Sequence, residues 1–428
     1  MRASRSSLIV MLATALTAAI TPPTTARAAP ADGVYYVQSA TTGLNAGIPD
    51  GAVRQRRPKG DEDHQQWTLA GGTLREGDRC LGRRGDQAVP LPCDSADARW
   101  DVLPDGDRYR LRVPGGDRHL IAVGTDQVAV GAGADLWYLT PVSPRRTPVP
   151  PEGERRLDQV TFLTAHNAYA NGVDGGFAPP FVNLAPNQAR GLDQQLRDGV
   201  RGFQLDVHHT PDGAILCHNS CTFVSRPVAL WVDVQRVVDF LARNPAEFVT
   251  IFLEDYVPAE VLRAELARVT GLSDVLFRPD LAGVRATGWP TLDTLRATGK
   301  RLLIFTDRAR SGDAVPRDGF GVQYQSEWTV ENHWSMGPGV GSSDWSCHSR
   351  WGTPLTRTEP GFRPLFVMNH FRDVPVTATA GTDNGKLADR ARRFCEPAAR
   401  KTPTYLAVDH YHLGNAMAAV LAPSGERY

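Results

Sequence analysis

From about residue 155 onward, apolar positions fall in short continuous runs separated by stretches with helical spacing. The runs Val160–Ala165, Gly202–Val207, Phe248–Leu253, Arg301–Thr306, Leu365–Asn369 and Tyr405–Asp409 are predicted strands. Between them, Leu192–Asp198, Trp231–Arg243, Pro258–Val269, Thr291–Thr298 and Lys386–Arg393 are predicted helices. The Trp231–Arg243 segment has apolar residues at 234, 237, 238 and 241, one face of a helix. Buried strands alternating with helices predict an α/β fold of the TIM-like barrel type, with six or seven strands, one or two short of a full barrel.

Residues 33–142 are patterned differently. Short alternating segments rich in Gly and Asp, without a helix-length amphipathic stretch, predict a small all-β domain. Trp67, Trp100 and Trp137 close three units of similar length, and Gln65-x-Trp67 ends the first. Between the two regions, residues 143–154 hold Pro144, Pro148, Pro150 and Pro151, which suppress helix and predict an extended spacer. At the N-terminus, Arg2 and Arg5 precede the apolar stretch Leu8–Ile20, and Ala26-Arg27-Ala28 has the small-x-small pattern of a cleavage site. Residues 1–28 are therefore expected to be a secretory signal peptide.

Export changes how the six cysteines are read. In an oxidising compartment they are expected as disulfides. Proximity favours Cys80–Cys93 and Cys217–Cys221, leaving Cys347–Cys395. The 47 basic residues balance 47 acidic ones. Zero net charge argues against binding to nucleic acid, which needs a basic excess.

Polar residues gather where the predicted strands end, the place where barrel enzymes hold their sites. These are His166 and Asn167, then Gln204 and Asp206, then His218, Glu254 and Asp409. Two histidines, two side-chain amides and carboxylates suit acid–base chemistry beside a hard, oxygen-seeking cation.

The set His166-Asn167-x-Tyr169, Gly199-Val200-Arg201 with Gln204-x-Asp206, His218, Glu254, Asn369-His370-Phe371 and Asp409-x-Tyr411 resembles the X region of phosphatidylinositol-specific phospholipases C. The resemblance spans roughly residues 155–425 and implies cleavage of phosphatidylinositol-type lipids at a membrane surface. It implies His166 and His218 as catalytic groups, with Glu254 a possible base. It also implies one Ca²⁺ held by Asn167, Gln204, Asp206 and Glu254. Gln204 stands where the calcium-type site has Glu, which removes one negative charge. Arg201, Asp409 and Tyr411 are candidates for substrate contact, with bracing of the barrel as the other reading of Arg201. Residues 31–142 are similar to ricin-type β-trefoils, which implies a glycan as a further partner. A monomer is expected. Two readings stand beside this one: a glycerophosphodiester phosphodiesterase, and a secreted carbohydrate-binding protein with an impaired barrel.

Overall fold

A computed structural model describes residues 29–60, 64–174, 186–211, 213–218, 221, 228–309, 321–421 and 426–428. The expected signal peptide lies outside them. Among the described residues, no helix is long and apolar enough to cross a membrane.

The C-terminal region is built on parallel strands whose apolar runs are buried on both faces, as helices covering a parallel sheet require. Its first four strands are Phe162–Ala165, Gly202–Thr210, Val249–Tyr256 and Leu302–Thr306. Two very short strands follow, Gln323–Tyr324 and Thr329–Glu331, and the seventh and eighth are Leu365–His370 and Tyr405–Val408. Ladder hydrogen bonds run fifth–fourth–third–second–first–eighth–seventh–sixth, all parallel. This is barrel order, with the ladder open between the fifth and sixth strands. Among the described residues the parallel barrel strands number eight, which corrects the six or seven expected. Where the first strand meets the second, Thr164 lies opposite Gly202, and a Cβ on Gly202 would collide with the Thr164 hydroxyl.

Helix Leu230–Arg243 lays Val234, Val237, Val238 and Leu241 against the sheet, the face its spacing predicts. The predicted helix Lys386–Arg393 is instead a turn of helix at Leu387–Arg390 that widens into a π turn at Ala391–Cys395.

The N-terminal region is a single antiparallel sheet of twelve strands. It closes on itself because Gly33–Ser39 pairs with both Trp137–Pro141 and Gln66–Ala70, and His119–Val123 joins Gln127–Gly131. Trp67, Trp100 and Trp137 are buried, and their indole N–H groups donate to the carbonyls of Ala46, Leu81 and Leu120 at 2.8, 2.8 and 3.0 Å. The three tryptophans are thus core residues satisfied from within.

The proline-rich segment is extended but is not a free spacer. Thr147–Pro148 pairs with Glu426–Arg427, and Arg146 reaches the buried Glu396 at 2.6 Å. The two regions also touch directly: Gln38 donates to the Ala398 carbonyl at 2.9 Å, and the Cys347 amide donates to Pro58 at 2.8 Å. All three expected disulfides are present.

Candidate active site

The second and third strands run in register, with Asp206 opposite Glu254. Because side chains alternate along a strand, Gln204 and Asp206 share a face. The first strand gives way to His166 and then Asn167, whose φ of 42° is left-handed, a conformation that Asn tolerates better than most residues. A hairpin strand, Gly213–Leu216, pairs with the outer half of the second strand and delivers Cys217 and His218. His166, Asn167, Gln204, Asp206, His218 and Glu254 line one cavity at the C-terminal mouth of the barrel. Asp307, Glu331, Trp334, Arg350 and Phe371 line it as well.

The carboxylates here are crowded and poorly hydrated. Burial, reinforced by the neighbouring Glu254, pushes the Asp206 carboxyl up to about 7, although the Tyr169 hydroxyl donates to it at 3.0 Å. Burial and then Glu254 also raise Asp307, to about 6. Glu254 accepts a hydrogen bond from the Tyr256 hydroxyl. Gln204 donates its amide N–H to Asn369 at 3.2 Å, while its buried Oε1 accepts nothing.

A buried amide oxygen without a donor, beside two desolvated carboxylates, suits a hard cation that would satisfy the first and relieve the second. The donor set fits Ca²⁺ in kind, all four side chains offering oxygen. Its charge is low, with two carboxylates beside two amides, and among the described residues no group of three or more His, Cys, Asp or Glu side chains is arranged to hold a metal.

His166 is fixed by a carboxylate at one edge and an aromatic ring on one face. Its Nδ1 lies 2.9 Å from Asp409, which also accepts from the Asn187 amide at 2.8 Å. The imidazole stacks on Phe371 with ring centroids 3.6 Å apart. A carboxylate at Nδ1 takes the N–H there and leaves Nε2 bare to accept a proton. Partial desolvation, then the nearby His166, lowers His218 below the usual histidine value, with Glu254 opposing.

None of Arg201, Asp409 and Tyr411, the candidates for substrate contact, lines the cavity. Arg201 sits before the second strand, at the opposite end of the barrel, and bonds Glu247 at 2.7 Å with the Leu196 and Val200 carbonyls. Tyr411 is buried and donates to Asp198 at 2.7 Å. Asp409 is buried behind His166 and positions it. Phe371 belongs to the motif Asn369-His370-Phe371, whereas Asn187, Asp307, Trp334 and Arg350 were not singled out from the sequence for this site. Those four come from loops far apart in the chain.

The described residues thus form eight parallel strands in barrel order, with a His–Asp pair and facing carboxylates at their C-terminal mouth, where barrel enzymes hold their sites. The chain belongs to the PI-PLC X family, whose profile matches residues 153–422. A PI-PLC X domain-containing protein of Arabidopsis thaliana is 31% identical over 262 residues, which is 60% of this chain and 58% of that protein. A protein of Arthroderma benhamiae described as an uncharacterized secreted protein is 24% identical over 288 residues, 62% of this chain and 60% of its own. The chain therefore matches about three fifths of the length of these relatives. A solved phosphatidylinositol-specific phospholipase C of Staphylococcus aureus superposes with 10% identity and a TM-score of 0.42, covering 63% of this chain and 94% of that one.

Proposed function

We propose that the protein is a secreted phosphodiesterase that cleaves phosphatidylinositol-type lipids to diacylglycerol and a cyclic inositol phosphate. The observation that carries this reading is His166, held by Asp409 at 2.9 Å, on the same cavity as His218, Asp206 and Glu254. His166 Nε2 takes the proton from the inositol 2-hydroxyl as its oxygen attacks phosphorus. The bond from phosphorus to the diacylglycerol oxygen breaks, and His218 gives that oxygen a proton. A phosphate anion beside His218 opposes the desolvation that lowers it, so the substrate helps to load its own acid.

Asn167, Gln204, Asp206 and Glu254 are the residues that would hold Ca²⁺. When bound, the ion supplies Lewis-acid stabilisation of charge at the phosphoryl oxygens. No lysine lies on the strand Leu302–Thr306, which favours an unphosphorylated or glycosylated inositol ring over a polyphosphorylated one. Secretion is supported by the three disulfides and by the leader pattern at residues 1–28. The N-terminal barrel is read as a ricin-type trefoil; with its three tryptophans turned inward, any glycan would be gripped by other side chains.

Phosphorus NMR of phosphatidylinositol treated with the purified protein tests this. Cyclic inositol phosphate should appear, and should vanish with His166→Ala and with His218→Ala. Turnover unchanged by chelator would remove Ca²⁺ from the assignment. Cleavage of glycerophosphoinositol alone would move the substrate to glycerophosphodiesters.

A further inference from the structure

A phosphodiester entering this cavity meets the carboxylates of Asp206, Glu254, Asp307, Glu331 and Asp373. Beside any bound Ca²⁺ its negative charge calls for a cationic side chain, and among the described residues no lysine lines the wall. Two arginines do, Arg350 and Arg372. Arg372 is committed elsewhere: it bonds Asp383 at 2.7 Å and the carbonyls of Pro338 and Gly341, both at 3.1 Å. Among the described residues that line the cavity, this leaves Arg350, which follows the sixth strand.

Arg350 is held rigidly without being used up. Its Nη1 donates to Glu331 at 3.0 Å, its backbone N–H donates to the Glu331 carbonyl at 2.9 Å, and its guanidinium lies over the Trp351 ring at 4.4 Å. Glu331 in turn accepts from Asn369, Gln325 and Trp351 at 2.7, 2.8 and 3.0 Å. This buried carboxylate is saturated, so it fixes the arginine's plane instead of chasing it. Arg350 Nη2 stands 3.9 Å from Glu254, outside hydrogen-bond reach. The Cys347–Cys395 disulfide ties the loop three residues away to the π turn.

We propose that Arg350 grips the phosphoryl oxygens of the substrate and is a specificity-determining residue for an inositol phosphodiester. A planar fork aimed from a fixed base suits a phosphate's paired oxygens better than a point charge does. This inference rests on the phosphodiesterase reading above.

Two variants and two small ligands test it. Arg350→Lys keeps a cation beside Glu331 and so protects the fold, while Arg350→Gln removes the charge. Both should lose about 10²-fold in kcat/KM on short-chain phosphatidylinositol, carried mainly by kcat. Inositol 1-phosphate should raise the Tm of the wild type more than myo-inositol does, and both variants should lose that difference. Variants within twofold of wild type that keep the phosphate-dependent shift would overturn the role of Arg350 alone. A wild type that neither cleaves the lipid nor responds to inositol 1-phosphate would overturn the functional reading itself.

Discussion

At the scale of single residues, the site depends on groups that never meet substrate. Asp409 is 2% exposed, behind His166, and its Oδ1 accepts from both His166 and Asn187. A neutral imidazole can carry its proton on either nitrogen, and only the Nδ1–H form presents a base to the cavity. Asp409→Asn keeps the size of the side chain and loses the charge that selects this form. We expect kcat to fall by about 10²- to 10⁴-fold with KM little changed, the range that a positioned proton acceptor contributes. The downfield Nδ1 proton signal of His166 should disappear with it. A variant that retains both signal and rate would show that Asp409 only packs the barrel.

At the scale of elements, helix Leu230–Arg243 hides a titration. Asp233, in its first turn, is 1% exposed, and burial pushes its carboxyl up to about 7 despite Arg236 at 3.1 Å. The unfolded chain releases that proton near 4, so the native state binds more protons in between. The stability that Asp233 contributes is present at pH 4 and lost as pH rises through 7, at about 1.4 kcal/mol for each pKa unit. Asp233→Asn should flatten the fall in Tm between pH 5 and 8, because Asp206 and Asp307 contribute equally in both proteins. Parallel Tm curves would rule the contribution out. This helix and six of the strands were legible because each holds a run or stripe of buried apolar residues. The fifth and sixth strands were not: Gln323–Tyr324 and Thr329–Glu331 are two and three residues long and carry mostly polar side chains. Their place is set by neighbours such as Phe305 and Val367, to which no local pattern points. The site divides in the same way. His166, Asn167, Gln204, Asp206, His218 and Glu254 follow strands or a hairpin that the pattern reveals. Asn187 matters through a contact across 222 residues, and Arg350 through a loop with no regular spacing.

At the scale of the whole molecule, zero net charge leaves no general attraction to an anionic bilayer. On the proposed function, contact with a lipid surface is made locally, and five of the nine large apolar residues exposed among the described ones lie toward one end of the barrel. Val173, Tyr256, Trp334, Val340 and Val374 are 61, 50, 42, 62 and 46% exposed. Tyr256 ends the third strand, and the other four lie in the loops after the first, sixth and seventh strands, at the end that holds the cavity. Val340 and Val374 are neighbours, since a Cβ on Gly339 would lie 2.8 Å from the Val374 side chain. Neither valine lines the cavity. Inserting a few such side chains into the interface gives ~1.5–3 kcal/mol each, enough to hold a neutral protein at the surface. Replacing both, as Val340→Glu with Val374→Glu, removes that burial and adds repulsion from anionic lipid. Sedimentation with phosphatidylinositol-containing vesicles should show binding weakened by about tenfold or more. Cleavage of a monomeric short-chain substrate should continue at the wild-type rate, because the chemistry does not pass through these positions. Unchanged vesicle binding would place the docking surface elsewhere, with the N-terminal barrel the next region to probe.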